Sequence, residues 1–496
     1  MTEYPPRRIP FTGDRAVTRP CTVGQWDFWL RTHRPGEPSF TDMTSGGILP
    51  AGVTVAEVLD GLGALVGRHE SLRTLFRLAD DGTLVQEVLA EGEVEVELVD
   101  LSTLTPEDAV GDWSPFPEGL PHDPATMVPF GARIGLLDGR PTVFQLWMSH
   151  LAADFISGRI VADELVKLLE GRLARPPGAA PVDVAEEERS PRGRRALAKG
   201  LEHWRRELAA APPTMFTAPP NESGTPRYWR GGIRSQALPT ALDVVAKRYR
   251  VGPTHVLLAA AAVLLGRHTD HDRCPVRLMA GNRISTMLRH AVGNLAQEVL
   301  TVIDLNGETF GDVVRNTWAA SMRVQRNGRF DANEVAALVA ASKVDLSIAF
   351  NDLWTPVRDL AVLPAVPPAP STFHWERKRD RASVTFFLEV HEDLTDTSAI
   401  RLSLLADTAH LPPPTIRAFL FGIERLVLSL VDGDLRLAEI EPVERHPATA
   451  LGAPATGAGG PSGHAGSTAG PRLPATPLPL CHDPQTRTRP SGRSKE

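Results

Sequence analysis

Residues 141–155 read PTVFQLWMSHLAADF, and the period of this stretch decides how the chain is to be read. Side chains on a strand return to the same face every second residue, so Phe144, Leu146 and Met148 share a face with His150. An apolar strand therefore delivers an imidazole at its end, with the Asp154 carboxylate four residues further on. A ring in that position is sheltered, is oriented by the backbone and titrates near neutral pH, which suits a general base. Residues 160–173 (IVADELVKLLEGRL) then return to helical spacing. Strand, turn and helix in this order predict a mixed α/β fold.

The same mixture extends on both sides. Upstream, residues 51–65 carry Val55, Val58, Leu59 and Leu62 as one helical stripe, and residues 83–99 alternate as strands. Downstream, residues 240–250 and 254–267 read as helices. Residues 276–280, 300–305, 344–351, 383–390 and 399–406 read as strands, and 414–431 as a closing helix. Between the halves, residues 174–200 turn rich in Pro, Ala and charge and read as an exposed connector, with Arg192, Arg194 and Arg195 on a solvated face. The predicted organisation is an N-terminal lobe (1–173), this connector, a C-terminal lobe (201–445) and a tail (446–496). The tail holds no aromatic residue and too little apolar surface to offset chain entropy, so its composition predicts disorder.

Composition removes several classes of function. The chain has 496 residues and a formal net charge of −7, which argues against binding driven by neutralising nucleic-acid phosphates. Its three cysteines, Cys21, Cys274 and Cys481, make neither a disulfide framework nor a zinc spacing, so a reducing cytoplasm is the expected location. The first residues lack the apolar core of a secretion signal. The longest apolar run, residues 256–265, is too short to span a bilayer, so no membrane partner is expected. The H-x-x-x-D spacing of His150 and Asp154 has no third ligand at useful distance, and no metal is expected.

Other segments fall into line with residues 149–155. Residues 22–30 (TVGQWDFWL), with Gln25 ahead of its aromatics, resemble the opening motif of condensation domains of nonribosomal peptide synthetases. Residues 68–76 (RHESLRTLF) resemble that family's second motif almost letter for letter, and residues 201–208 (LEHWRREL) its Trp-containing helix. Residues 281–301, with Arg283 and Gly293, resemble its Arg-then-Gly region, and residues 384–430 its last strands and helix. The resemblance covers roughly residues 15–445 in family order. Within it Arg68, Glu70 and Arg73 read as scaffold through helix-end ion pairing, and Trp26, Trp29 and Trp204 as core.

The resemblance implies two lobes of chloramphenicol acetyltransferase type, arranged as a V around a central tunnel. It implies that His150, the second His of the family's His-His-x-x-x-Asp-Gly motif, carries catalysis. It implies that Asp154 turns away to pair with Arg283 as structural support, leaving His150 neutral. Two positions depart from the motif. Ser149 replaces the first His and points to the opposite strand face, and Phe155 replaces a Gly that permits close backbone approach. With Asn351, these two residues shape the tunnel and the acceptor path.

The implied reaction is acyl transfer from a carrier-protein thioester to a small amine or hydroxyl acceptor, giving an amide or ester. Backbone N–H groups near residues 154–155 would meet the oxyanion. No cofactor is expected beyond the phosphopantetheine arm of a partner carrier protein. The sequence shows neither a carrier attachment motif nor an adenylate-forming signature. The expectation is a stand-alone monomeric enzyme that meets its peptidyl or acyl carrier in trans, in antibiotic or other secondary metabolism. An acyl-CoA-dependent relative of the plant type fits less well, because the Asp-Phe-Gly-Trp-Gly motif is missing. The departures at Ser149 and Phe155 also suit a different class, a catalytically degenerate protein that binds or recruits a synthetase.

Overall fold

The computed structural model describes residues 2–32, 42–103, 123–217, 224–356, 368–393 and 396–444. The tail from residue 446, read above as disordered, lies outside them. The first half contains β1 (Thr2–Glu3), β2 (Arg7–Thr12), β3 (Val17–Pro20), α1 (Val23–Thr32), β4 (Asp42–Ile48) and α2 (Val55–Arg68). It continues through β5 (Thr74–Leu78), β6 (Leu84–Val88), β7 (Glu91–Asp100), β8 (Phe130–Leu137), β9 (Arg140–Ser149) and α3 (Phe155–Leu169). Helices α4 (Pro181–Arg189) and α5 (Pro191–Ala210) lead into the second half. There follow β10 (Tyr228–Ser235), α6 (Ala237–Tyr249), α7 (Pro253–Thr269), β11 (Arg273–Ala280), β12 (Gln297–Asp304), α8 (Phe310–Arg326) and α9 (Ala332–Ser342). The half closes with β13 (Ile348–Asp352), β14 (Thr372–Arg379), β15 (Phe386–Glu392), β16 (Ile400–Asp407) and α10 (Pro413–Ser429).

Each half has its own sheet. Among the described residues the first sheet runs β1-β7-β8-β9-β4, with β2 also on β7. The second runs β12-β11-β13-β15-β16-β10-β14, and β3, β6 and β5 form a small third sheet. Strand β9 lies between β8 and β4 in the first sheet, and most residues on both of its faces are buried. Phe144, Leu146 and Met148 face a core that also takes Val58, Leu62 and Leu65 of α2 and Val161 and Leu165 of α3. Helix α2 starts at a Thr54–Glu57 capping box, in which each side chain bonds the other residue's backbone N–H. In the second half the apolar run of α7 is buried from Val256 to Gly266 beneath β11, β13 and β15. No single helix among the described residues is long and apolar enough to cross a membrane.

The connector departs from its sequence reading. Residues 181–210 are two helices rather than an exposed link, and Val182, Val184 and Ala185 of α4 are buried. The prolines that suggested a loop, Pro181 and Pro191, each occupy the start of a helix, where a missing N–H costs nothing. The Ser190 hydroxyl caps α5 by accepting from the Gly193 N–H at 3.0 Å. Helix α5 then lays Leu201, Trp204 and Leu208 into the second core. Arg192, Arg194 and Arg195 are exposed, but on a helix.

Helix α5 also crosses the chain around residue 329 at very close range. A Cβ at Gly200 would stand 1.9 Å from the Arg329 carbonyl oxygen, which is backbone and cannot swing away. Gly200→Ala should therefore destabilise the fold by about 3 kcal/mol, the upper range of overpacking. The urea-unfolding midpoint measures it, and a variant as stable as the parent would contradict this packing.

Candidate active site

The turn after β9 is built around Ser149. Its buried backbone carbonyl accepts from the N–H groups of Ala152 (2.9 Å) and Ala153 (3.2 Å), and its Oγ accepts from Leu151 N–H at 3.4 Å. Asp154 then ends the turn as the N-cap of α3, accepting from the Ser157 N–H at 2.9 Å. Helix α3 thus begins at Phe155, five residues before the start read from periodicity. An Asp just ahead of an amphipathic run is the capping signal that places this boundary.

Three successive carbonyls of the turn are held by three distant side chains. Asn294 Nδ2 donates to the His150 carbonyl at 2.8 Å, Gln25 Nε2 to that of Leu151 at 3.3 Å, and Ser71 Oγ to that of Ala152. These donors come from the loop before β12, from α1 and from the turn after α2. Asn294 and Ser71 carry no chemistry of their own, and sequence reasoning passed over both. The available signal was their place within segments 281–301 and 68–76.

His150 lies just beyond the strand, half-buried, with its ring stacked on Phe28 of α1 at a centroid distance of 4.7 Å. Nδ1 is buried without a hydrogen-bond partner. Burial pushes the imidazole pKa below its ordinary 6.5. The Asp154 charge and backbone groups of His150 and Ala153 oppose this, while the Arg31 charge adds to it. Arg31 sits 5.9 Å from the Phe28 centroid. The resulting ring is neutral at pH 7.

Asp154 does not reach the imidazole. Arg283 Nη1 donates to its Oδ2 at 2.6 Å and Nη2 to its Oδ1 at 2.7 Å, a two-pronged ion pair with both partners almost wholly buried. Leu295 N–H adds a bond to Oδ2 at 3.2 Å. Burial alone would raise the carboxyl, but the Arg283 charge and these hydrogen bonds outweigh it and hold the pKa below the ordinary value. Ser157 completes the knot. Its Oγ accepts from Arg283 Nη2 (2.9 Å) and Gly293 N–H (3.0 Å) and lies 2.8 Å from the Gly293 carbonyl.

Segment 68–76 clamps the site from behind. Arg68 Nε (2.7 Å), His69 Nε2 (2.9 Å) and Arg175 Nε (3.1 Å) all meet the buried Glu164 carboxylate of α3. Burial works against that charge, yet the His69 and Arg68 contacts hold the Glu164 pKa at about 2. Glu70 pairs with Arg15 at 2.7 Å. Arg73 differs from its sequence reading. It is buried and donates to the carbonyls of Leu89, Arg15 (2.9 Å) and Gly67 (3.3 Å) rather than to a carboxylate.

Phe155 is the first residue of α3 and half-buried. The backbone there is helical, so no left-handed conformation demands a glycine and only space is at issue. Asn351 lies in β13 opposite Glu389, on the sheet of the other half, with no hydrogen bond to His150 or Asp154. Trp204 is core, whereas Trp26 and Trp29 are half-buried. Among the described residues no group of three or more His, Cys, Asp or Glu is placed to hold a metal ion.

The family model of the condensation domain matches residues 36–419. The chain belongs to the condensation-domain family. It is 25% identical over 362 residues to the hybrid PKS-NRPS synthetase tasS of Hapsidospora irregularis, a match covering 68% of this chain and 9% of that synthetase. To chondramide synthase cmdD of Chondromyces crocatus it is 26% identical over 339 residues, 65% of this chain and 8% of the synthase. The chain thus spans a small part of the curated relatives it matches.

Among solved structures, the SgcC5 protein from Streptomyces globisporus superposes with a TM-score of 0.62 at 21% identity, covering 84% of this chain and 99% of that one. The first condensation domain of the CDA synthetase gives 0.62 at 15% identity, covering 86% and 99%. These likenesses establish the fold, which is the mixed α/β, chloramphenicol acetyltransferase-like fold of condensation domains.

The Asp154–Arg283 pair joins the two halves of this condensation domain, so removing one partner strands a buried charge. Arg283→Ala should cost about 3–5 kcal/mol. Asp154 has a folded pKa below its unfolded one, so the pair's contribution is complete above about pH 4. It is lost only as pH falls further, so the parent's pair is intact at pH 6 and pH 8. The penalty should be at least as large at pH 8, where the stranded carboxyl gains least from protonation. Urea titrations at both values test this, and a loss under 1 kcal/mol would refute it.

Proposed function

We propose that this condensation domain is an acyltransferase in which His150 acts as the base, forming an amide or ester from a carrier-bound thioester and a small amine or alcohol. The observation that carries this reading is the state of His150: neutral, fixed by stacking and main-chain clamps, and free of Asp154. Nδ1 is sealed inside, which leaves Nε2 as the nitrogen for a substrate.

In the proposed step the acceptor N–H or O–H approaches Nε2 and the acceptor atom attacks the thioester carbonyl. The new C–N or C–O bond forms as His150 takes the proton, leaving a tetrahedral oxyanion. Collapse of that intermediate breaks the C–S bond, and the departing thiolate recovers the proton from His150. Donors for the oxyanion would come from backbone N–H groups at the start of α3, where the helix dipole favours negative charge. The low pKa keeps the base unprotonated at neutral pH, and holding both substrates together supplies much of the rate through proximity.

The donor would be an acyl or aminoacyl group on the phosphopantetheine arm of a peptidyl or acyl carrier protein, met in trans. The proposed setting is secondary metabolism in the cytoplasm. Residues 1–173 and 201–445 would serve as the two lobes, with Ser149, Phe155 and Asn351 shaping the acceptor path.

His150→Ala should lower product formation at least 100-fold, in a panel of acyl-loaded carriers and amine or alcohol acceptors, without loss of folding. A carrier that binds while no acceptor turns over would favour the recruitment reading instead. For the parent, kcat/KM should be flat at neutral pH and fall on the acid side. Its midpoint should lie below 6.5, because the protonated ring cannot accept a proton and burial has lowered its pKa. An acid limb above pH 7 would exclude His150 as the titrating group.

A further inference from the structure

The second sheet has a face turned away from its helices, and it carries charged side chains that the reaction above does not use. The register sets His391 of β15 directly opposite Arg401 of β16, and Arg234 of β10 directly opposite Arg401 on its other side. Paired residues project from the same face with Cβ atoms about 5 Å apart, so the three form one row.

The acids around this row are already engaged. Glu389 bonds Arg230, and Glu376 accepts from Ser403 Oγ at 2.6 Å. Asp393 accepts from Arg234 Nε at 3.0 Å, and Asp396 from Arg234 Nη2. Arg401 is left over. Among the described residues no carboxylate lies within ion-pairing distance of it, and its Nε is buried without a hydrogen-bond partner. A half-buried guanidinium with no carboxylate in contact holds N–H donors that the protein does not use. An oxygen anion matches such donors.

A contact also links the strand that carries the row to the helix that follows the His150 turn. Arg159 stands one turn beyond Phe155 on the same face of α3. Its Nη1 donates to Glu392 Oε1 at 2.9 Å, and Glu392 is the chain neighbour of His391. The start of the helix that follows the His150 turn therefore abuts the end of the strand that carries the row.

We propose that Arg401, with His391, forms a subsite for an anionic oxygen group of a substrate held in the same cleft as His150. Its placement as a substrate subsite rests on the acyl-transfer reading. Arg401 supplies a planar fork of N–H donors suited to a carboxylate or a phosphate. His391 supplies a ring nitrogen beside it. The group is a carboxylate on the acceptor or the phosphate of the phosphopantetheine arm.

The test is binding, without turnover. In the full chain carrying isotope-labelled histidine, with His391→Gln to assign the signal, the His391 resonance is followed at constant ionic strength. Acetate is compared with acetamide, and 4′-phosphopantetheine with pantetheine. The expected result is a saturable shift with the acetate or the phosphopantetheine and none with its neutral counterpart. The responding anion identifies the source. Arg401→Met should weaken that binding at least tenfold and should unfold at the same or a higher urea midpoint in anion-free buffer.

No shift with either anion, or unchanged affinity in Arg401→Met, overturns the subsite. So does a lowered midpoint in that variant, because it makes the guanidinium structural. None of these outcomes bears on turnover by His150. Conversely, a chain that binds the anion but transfers no acyl group keeps the subsite and loses the acyl-transfer reading.

Discussion

The ion pair between Asp154 and Arg283 is the constraint on which the rest of the site depends. Asp154 closes the turn after a strand of the first sheet, and Arg283 lies in the loop after a strand of the second. Neither charge is tolerable where it sits unless the other is present, because both are almost fully withdrawn from water. The pair therefore bridges the two sheets, and Asn294, from the same loop as Arg283, reaches the His150 carbonyl. The N–H groups of Ser157 and Leu295 each add a further bond to the Asp154 carboxylate, one to each oxygen.

That commitment sets the electrostatics of His150. Had Asp154 bonded the imidazole, its charge would have favoured the protonated ring. Engaged by Arg283, it contributes only through space, and burial wins. The neutrality of the ring is thus a by-product of how the halves are joined. The Arg31 charge, behind Phe28, works in the same direction.

Local pattern made part of this legible. Period two located β9, and the ordered motifs identified the family and put Asp154 opposite Arg283 on resemblance. What stayed hidden is of two kinds. Bonds from a side chain to a distant main-chain carbonyl, such as those of Ser71 and Asn294, leave no trace in spacing because the accepting residue can be any amino acid. Proline and charge also misled in residues 174–200. A helix start and a loop share that composition, and the buried face of α4 packs against groups far away in sequence, among them Ala291 and Leu295. Arg73 was misjudged for a related reason, since its partners are backbone carbonyls.

The clamping of the turn has one more consequence. Asn294, Gln25 and Ser71 grip the main chain and are blind to the side chains it bears. These three grips hold the main chain whatever side chains residues 150, 151 and 152 carry, whereas Ser149 also contributes its own Oγ to the turn. Positions 149 and 155, where Ser149 and Phe155 stand, lie next to this clamped stretch of main chain.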